Sequence, residues 1–121
     1  MFILRKIEGG RINVYEPQIL TVGSKAVTSG QALVLTSGKL VQCGEDVKPT
    51  FIALADGAAN SEIHVGRVDS DQIYETDAAS GVVVGAKYKL NSNADGITAT
   101  AASTAGAEIV ALNGATVLVR F

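Results

Sequence analysis

The chain has 121 residues, of which 18% are charged and 47% hydrophobic, and its formal net charge is −2. That length gives one domain with a single core, and the apolar content excludes a disordered chain. The absence of a basic surplus argues against a dedicated nucleic-acid binder, and three Phe, three Tyr and no Trp leave a core of Val, Leu, Ile and Ala.

A single cysteine cannot form an internal disulfide, which fits a reducing interior or assembly inside a cell. Met1-Phe-Ile-Leu-Arg-Lys is not a signal peptide, because its apolar run is three residues long and the charges follow it. No stretch approaches the ~20 apolar residues of a membrane helix. The chain therefore reads as soluble, with no membrane partner and no cleaved signal.

The apolar clusters are short, β-branched and bounded by Gly, Asn, Asp or Ser, which is the signature of strands. Residues 2–7 and 11–15 flank a turn at Glu8-Gly9-Gly10, and Pro17 breaks any ladder because it lacks an N–H. Residues 18–22 form a further short extended piece. Residues 32–36 and 39–43 make a hairpin around Ser37-Gly38, followed by strands at 50–55 and 62–69. Residues 69–81 form an acidic connector, within which Gln72-Ile-Tyr74-Glu-Thr adds one strand. Residues 87–91 and 97–100 then flank Asn93-Ala-Asp95-Gly96. Residues 99–107 read as an irregular loop, because Thr, Ser and Gly outweigh the helical preference of alanine. Finally, 108–112 and 116–121 flank Asn113-Gly114, a strong short-range hairpin signal. The run Thr116-Val-Leu-Val119 is apolar on both faces and predicts a central strand.

Two stretches, 27–68 and 82–121, are one motif written twice. Gly30-Gln-Ala-Leu33-Val-Leu35 aligns with Gly85-Ala-Lys-Tyr88-Lys-Leu90, Ile52-Ala-Leu54 with Val110-Ala-Leu112, and Val65-Gly-Arg67-Val with Leu118-Val-Arg120-Phe. Apolar spacing and turn glycines repeat here; reactive side chains do not. Two copies of about four strands predict an all-β protein, a small antiparallel β-barrel or sandwich with internal duplication. The N-terminal arm, residues 1–26, lies outside the repeat. It reads as the part least needed for the core and the most available to a partner. It carries Arg5, Lys6, Arg11 and Lys25 against Glu8 and Glu16, whereas the connector carries Asp69, Asp71, Glu75 and Asp77 with no base.

Candidate chemistry is sparse. His64 is the single histidine and sits mid-strand, with nothing tying it to Cys43 or a serine as a catalytic arrangement requires. Cys43 ends a strand and reads as a small buried hydrophobe. One His and one Cys do not make a zinc site. The carboxylates from Asp69 to Asp77 have oxygen-ligand spacing for Ca²⁺, but Ile73 and Tyr74 break the EF-hand pattern, so a solvated connector is the simpler reading. Gly81-Val-Val-Val-Gly85-Ala-Lys87 departs from a phosphate loop in its spacing, at Ala86 and at Tyr88. Arg67 and Arg120, at matching places, are either paired contacts across an interface or strand-end arginines in water. Phe2, Ile3, Leu4 and Tyr15 are either an edge strand on the core or a docking arm. No catalytic residue, metal or cofactor is expected.

The run Val27-Thr-Ser-Gly30-Gln-Ala-Leu-Val-Leu-Thr-Ser-Gly38-Lys-Leu-Val resembles small head proteins of tailed bacteriophages, of the capsid decoration or cement type. So do Pro49-Thr-Phe-Ile-Ala-Leu-Ala-Asp56-Gly-Ala-Ala with Glu62-Ile-His-Val65, and Val84-Gly85-Ala-Lys-Tyr88-Lys-Leu90 with Gly96-Ile-Thr. The resemblance spans most of 27–121; the arm and residues 69–79 match less clearly. It implies a β-rich viral structural protein on the outer capsid surface of the virion, assembled in the host cytoplasm. The implied partner is the major capsid protein, with a homotrimer favoured. The expected contact residues are Phe2, Ile3, Leu4, Arg5 and Tyr15 of the arm. The alternative is a small β-barrel tail or baseplate component or a carbohydrate-binding module, which calls for an exposed stripe of Tyr15, Tyr74 and Tyr88.

Overall fold

A computed structural model describes residues 1–7 and 17–121. The expected turn at Glu8-Gly9-Gly10, the segment 11–15 and Tyr15 lie outside the described residues. The short β-branched runs become eleven strands among those residues: β1 (Ile3–Ile7), β2 (Pro17–Thr21), β3 (Ala32–Thr36), β4 (Lys39–Gln42), β5 (Phe51–Ala53), β6 (Glu62–Arg67), β7 (Gln72–Asp77), β8 (Lys87–Leu90), β9 (Ile97–Ala101), β10 (Ala107–Asn113) and β11 (Thr116–Arg120). No described residue is helical; of the loop expected over 99–107 only 102–106 is irregular, because β9 runs on through Ala101 and β10 already begins at Ala107. The β3–β4 hairpin turns through Ser37 (φ 52°) and Gly38 (φ 76°), the double positive φ of a type I′ turn. The β10–β11 hairpin forms as expected, but Asn113 closes its ladder opposite Thr116. The loop is Gly114-Ala115, with only Gly114 at positive φ, the pattern of a type II′ turn.

The strands form two antiparallel sheets, ordered β1-β7-β11-β10-β8-β9 and β2-β6-β5-β3-β4. The second sheet curls until its two end strands meet, but only at one parallel bridge, Val22↔Leu40, with Gly23 N–H donating to Leu40 O at 2.9 Å. A closed barrel needs a continuous ladder there. The protein is therefore a sandwich-like pair of open sheets and not a barrel.

The duplication is visible in the strand order itself. The set β2-β6-β5-β3-β4 is matched strand for strand by β7-β11-β10-β8-β9, with β1 added outside β7. Backbone hydrogen bonds recur in the same places. Gly30 N donates to Ala53 O (2.7 Å) and Ala53 N to Gln31 O (3.0 Å); Gly85 N donates to Ile109 O (2.9 Å) and Ile109 N to Ala86 O (3.0 Å). Cys43 N to Ala32 O is matched by Ala102 N to Lys87 O, and Val22 N to Ser61 O by Ala78 N to Ala115 O. Gly30 and Gly85 share φ near +85° (82° and 89°), a conformation that explains the glycine in both copies. Ala53 thus corresponds to Ile109, two residues earlier in the second copy than the sequence alignment places it. A bulge between Ile109 and Ala111 adds one residue to β10 there and accounts for part of the slip.

The unit that recurs begins one strand before the one legible in the sequence, and this changes two expectations. Pro17 does not break the ladder; it opens β2 opposite Gly66, at the first position of an end strand where its missing N–H is tolerated. The acidic segment is not a solvated connector. It supplies β7, which lies between β1 and β11, and Gln72, Ile73, Tyr74 and Thr76 are all buried.

The two interiors use matching positions with different side chains. Leu33 lies opposite Phe51 in the first copy; Tyr88 lies opposite Ala107 in the second. Ala53 opposite Val65 corresponds to Ile109 opposite Val119. All eight are buried; the bulk lost where Tyr88 and Ala107 replace Leu33 and Phe51 is made up where Ile109 replaces Ala53, so volume is balanced over the four positions together and not within either pair. Leu33, Phe51, Ala53 and Val65 belong to a cluster inside the curled sheet. A larger cluster joins the sheets, bringing Ala32, Ile52 and Cys43 against Tyr74, Leu90, Ala94 and Ile109. Phe2 and Leu4 belong to it too, and Phe2 meets Phe121 edge-on at 5.2 Å between ring centroids. The start of the chain is therefore structural and not dispensable to the core. Burying a phenylalanine such as Phe2 contributes about 2 kcal/mol.

Candidate functional site

Of the five expected contact residues, β1 separates four into two groups by simple alternation. Phe2 (1% exposed) and Leu4 (9%) point into the core. Ile3 (40% exposed) and Arg5 point outward from an end strand. Arg5 forms an ion pair with Glu75 of β7 at 2.6 Å, with a second hydrogen bond from Nε at 3.0 Å. Hydrogen bonding from Arg5 holds the Glu75 carboxyl below its ordinary range, helped by the guanidinium charge and by the Thr116 hydroxyl, against partial desolvation. Tyr15 lies outside the described residues. The outer face of β1 is thus a strip with an apolar side chain and a cation already paired. Met1, 53% exposed, continues it. A shallow hollow lined by Met1, Ile3, Ser29 and Leu54 lies beside this strip.

The chemical candidates are dispersed. His64 is exposed on β6, opposite Ile19 of β2. Cys43 is buried; its thiol donates to Val47 O at 3.2 Å, and burial pushes its pKa up to about 11. A thiol so placed is a poor nucleophile at neutral pH. Among the described residues no three His, Cys, Asp or Glu side chains gather as metal ligands. Lys87 follows Gly85 into a strand and not into the helix that a phosphate loop requires. Arg67 lies 3.9 Å from Asp69, just after β6, and Arg120 lies 3.0 Å from Glu108 of β10. The two arginines do not occupy matching places, because in the ladders Arg120 stands where Gly66 stands in the first copy. Tyr74 and Tyr88 are buried, and no described aromatic residue is exposed, which leaves a sugar platform without its rings. No helix among the described residues is long and apolar enough to cross a membrane.

Sequence reasoning missed a polar junction between the sheets. Buried Gln31 accepts from Thr28 N–H (3.1 Å) and donates to Asn93 O (2.7 Å), while Gln42 donates to Ser92 O. Ala32 N donates to Ala94 O at 2.7 Å, and Leu90 N to Glu45 O at 2.7 Å. Asp46, in the loop after β4, accepts from Ser103 N (2.8 Å), Ser103 Oγ (2.6 Å) and Ala105 N (2.9 Å). The Ser103 hydroxyl foremost, then these backbone donors, hold its carboxyl well below the ordinary range. A groove of about 570 Å³ runs beside this junction, lined by Lys25, Val41, Gln42, Cys43, Glu45 and Ser92 among others. The partners lie some fifty residues apart, and the one local signal was polar side chains inside otherwise apolar repeats.

Exposed large apolar side chains recur at Ile3, Ile19, Val83, Val84 and Leu112. The second copy differs from the first here: Ser29 N–H donates to Asp56 Oδ1 at 2.8 Å, whereas Val84, one residue before the matching Gly85, is an exposed hydrophobe. Together with Met1 these side chains leave apolar strips on the outside of the described structure. No known family model matches the chain, and no curated protein matches it significantly.

Proposed function

We propose that the chain is a capsid decoration, or cement, protein of a tailed bacteriophage. It would bind the outer head surface in many copies and add buried area across seams between major capsid subunits. The observation that carries this reading is the duplicated all-β scaffold. Its glycine-and-apolar repeats are the segments that resemble the decoration proteins. A modest interface repeated over many copies stabilises a shell without any one strong contact. The outward strip of Ile3 and Arg5 is the proposed contact face, with Phe2 and Leu4 supporting it from the core.

The test is addition of the purified chain to heads that lack it, read by electron microscopy as extra density on the outer surface. Removing residues 1–15 would take Phe2 and Leu4 out of the core, so the site is probed instead with Ile3→Gln and Arg5→Gln. Both variants should keep the wild-type circular dichroism spectrum and lose occupancy. No density at saturating protein overturns the function, whereas density retained by the folded double variant overturns the contact face alone. The mass in solution separates the favoured trimer from a monomer.

A further inference from the structure

We propose that Asn113 is a site of spontaneous deamidation through a cyclic imide, and that the fold makes it the reactive one among the Asn-Gly and Asp-Gly pairs of the described residues. The chemistry needs an exposed side-chain carbonyl, a following residue without a Cβ, and a following backbone nitrogen not engaged in the structure. The chain holds three such pairs, Asp56-Gly57, Asp95-Gly96 and Asn113-Gly114.

The fold protects the first two. Gly57 is buried, its N–H donates to Val27 O at 2.9 Å, and a Cβ there would lie 2.5 Å from Ile63. The Asp56 carboxylate is meanwhile held by Ser29 N–H at 2.8 Å. Gly96 is buried, and Asp95 accepts from Asn91 Nδ2 at 2.7 Å while its own N–H donates to Asn91 Oδ1 at 3.1 Å. Those contacts also occupy both ends of the Asn91 amide. The third pair sits at the tip of the β10–β11 hairpin. Asn113, Gly114 and Ala115 are all exposed, Gly114 has open space around it, and its φ is 66°. The contact at Asn113 is through its main-chain carbonyl, which accepts from Thr116 Oγ1 at 3.3 Å and leaves the side chain out of the bond.

The step balances with water alone. The Gly114 backbone nitrogen, having lost its proton to hydroxide, attacks Asn113 Cγ. The new N–Cγ bond closes a five-membered imide, the Cγ–Nδ2 bond breaks, and the amide nitrogen leaves as ammonia with a proton from solvent. Water then adds to either imide carbonyl and opens the ring to aspartate or to isoaspartate. Either product places a carboxylate beside exposed Leu112. The isoaspartate also lengthens the main chain by one carbon at the residue that closes the ladder against Thr116.

The test incubates the full chain at pH 8.5 and 37 °C and maps peptides by mass, with isoaspartate detected by enzymatic methyl transfer. Asn113 should convert about tenfold faster than Asn60, Asn91 or Asn93, the ratio given by a barrier lower by about 1.4 kcal/mol. Asp56 and Asp95 should form isoaspartate only in urea, where the protecting bonds are lost. Asn113→Gln should abolish the fast product while leaving the fold unchanged. Native Asn113 that converts no faster than Asn91, or isoaspartate that appears first at Asp56 or Asp95 in the native chain, overturns the proposal.

Discussion

If the two interiors are copies of one design, side chains should be transferable between them as a set. Leu33 opposite Phe51 in one copy stands where Tyr88 opposite Ala107 stands in the other. The exchange extends to hydrogen bonding. In the second copy Val83 N–H donates to the Tyr88 hydroxyl at 3.0 Å; in the first the matching Thr28 N–H donates to Gln31 Oε1 at 3.1 Å. The perturbation is Leu33→Tyr with Phe51→Ala, then Gln31→Ala in addition, which writes the second copy's solution into the first. Singly, Phe51→Ala empties a buried ring and costs about 4 kcal/mol. Leu33→Tyr alone overpacks a full site and costs about 2 kcal/mol. Additivity predicts about 6 kcal/mol for the pair, comparable to the whole stability of many domains. Shared volume predicts a coupling of about 2–3 kcal/mol, so the double variant loses about 3–4 kcal/mol. With an unfolding entropy near 2.1 cal/mol/K per residue, 121 residues give about 0.25 kcal/mol/K, so the coupling is worth about 10 °C in Tm. Adding Gln31→Ala to the double variant should cost less than it does alone, because the introduced phenol accepts the Thr28 N–H. The assay is urea unfolding followed by circular dichroism, with m held constant across the series. Additivity within about 0.5 kcal/mol would refute the shared design.

Two further outcomes follow from the junction and from the matched glycines. Asp46→Asn should lower Tm at neutral pH and flatten its acid dependence. The native carboxyl lies below its unfolded value, so its contribution is present above about pH 4 and is lost as pH falls further toward the depressed native value; a wild-type Tm that is flat from pH 5 to 2 would contradict this. Gly30→Ala should destabilise more than Gly85→Ala in the same unfolding assay. Both pay about 1–2 kcal/mol for positive φ, but a Cβ at Gly30 would also overlap the Met1 side chain, whereas Gly85 opens to free space.

Where the sequence was legible, the signal was local. The β3–β4 and β10–β11 hairpins follow from Ser37-Gly38 and from Asn113-Gly114, and β11 is central because Val117 and Leu118 leave no polar face. Where it was not, side-chain identity hid backbone position. The strand at 72–76 was legible and forms as β7; what Asp71, Glu75 and Asp77 hid is that it lies inside a sheet, with Glu75 held by Arg5 and Thr116 and Tyr74 beside it fully buried. The bulge at Ile109 is part of the slip in the alignment: Ala111 mimics Ala53 in sequence while Ile109 takes its place in the ladder. The start of the chain lacked a counterpart in the repeat, and so read as an arm; Phe2 in fact covers Phe121 at the seam. The junction bonds of Gln31, Gln42 and Asp46 join loops distant in sequence, and no spacing rule reveals them.

The copies have diverged in a way that separates what the fold needs from what it leaves free. Inside, the changes are compensated as a set: tyrosine with alanine is less bulky than leucine with phenylalanine, Ile109 in place of Ala53 restores the volume, and a phenol replaces an amide as the acceptor for one backbone N–H. Such pairing is expected where a void or an orphaned donor costs about 1–3 kcal/mol. Outside, the changes go uncompensated. The Ser29–Asp56 bond of the first copy gives way to the exposed Val83 and Val84 of the second, and an extra strand, β1, lies beside β7 with no counterpart beside β2 among the described residues. Surface substitutions of this kind usually cost within about 0.5 kcal/mol, so the outer faces are where the two copies are free to differ. If the proposed decoration function holds, these unlike faces are where contacts with unlike neighbours would lie, and Val83→Ser with Val84→Ser should then weaken head binding without changing the unfolding curve.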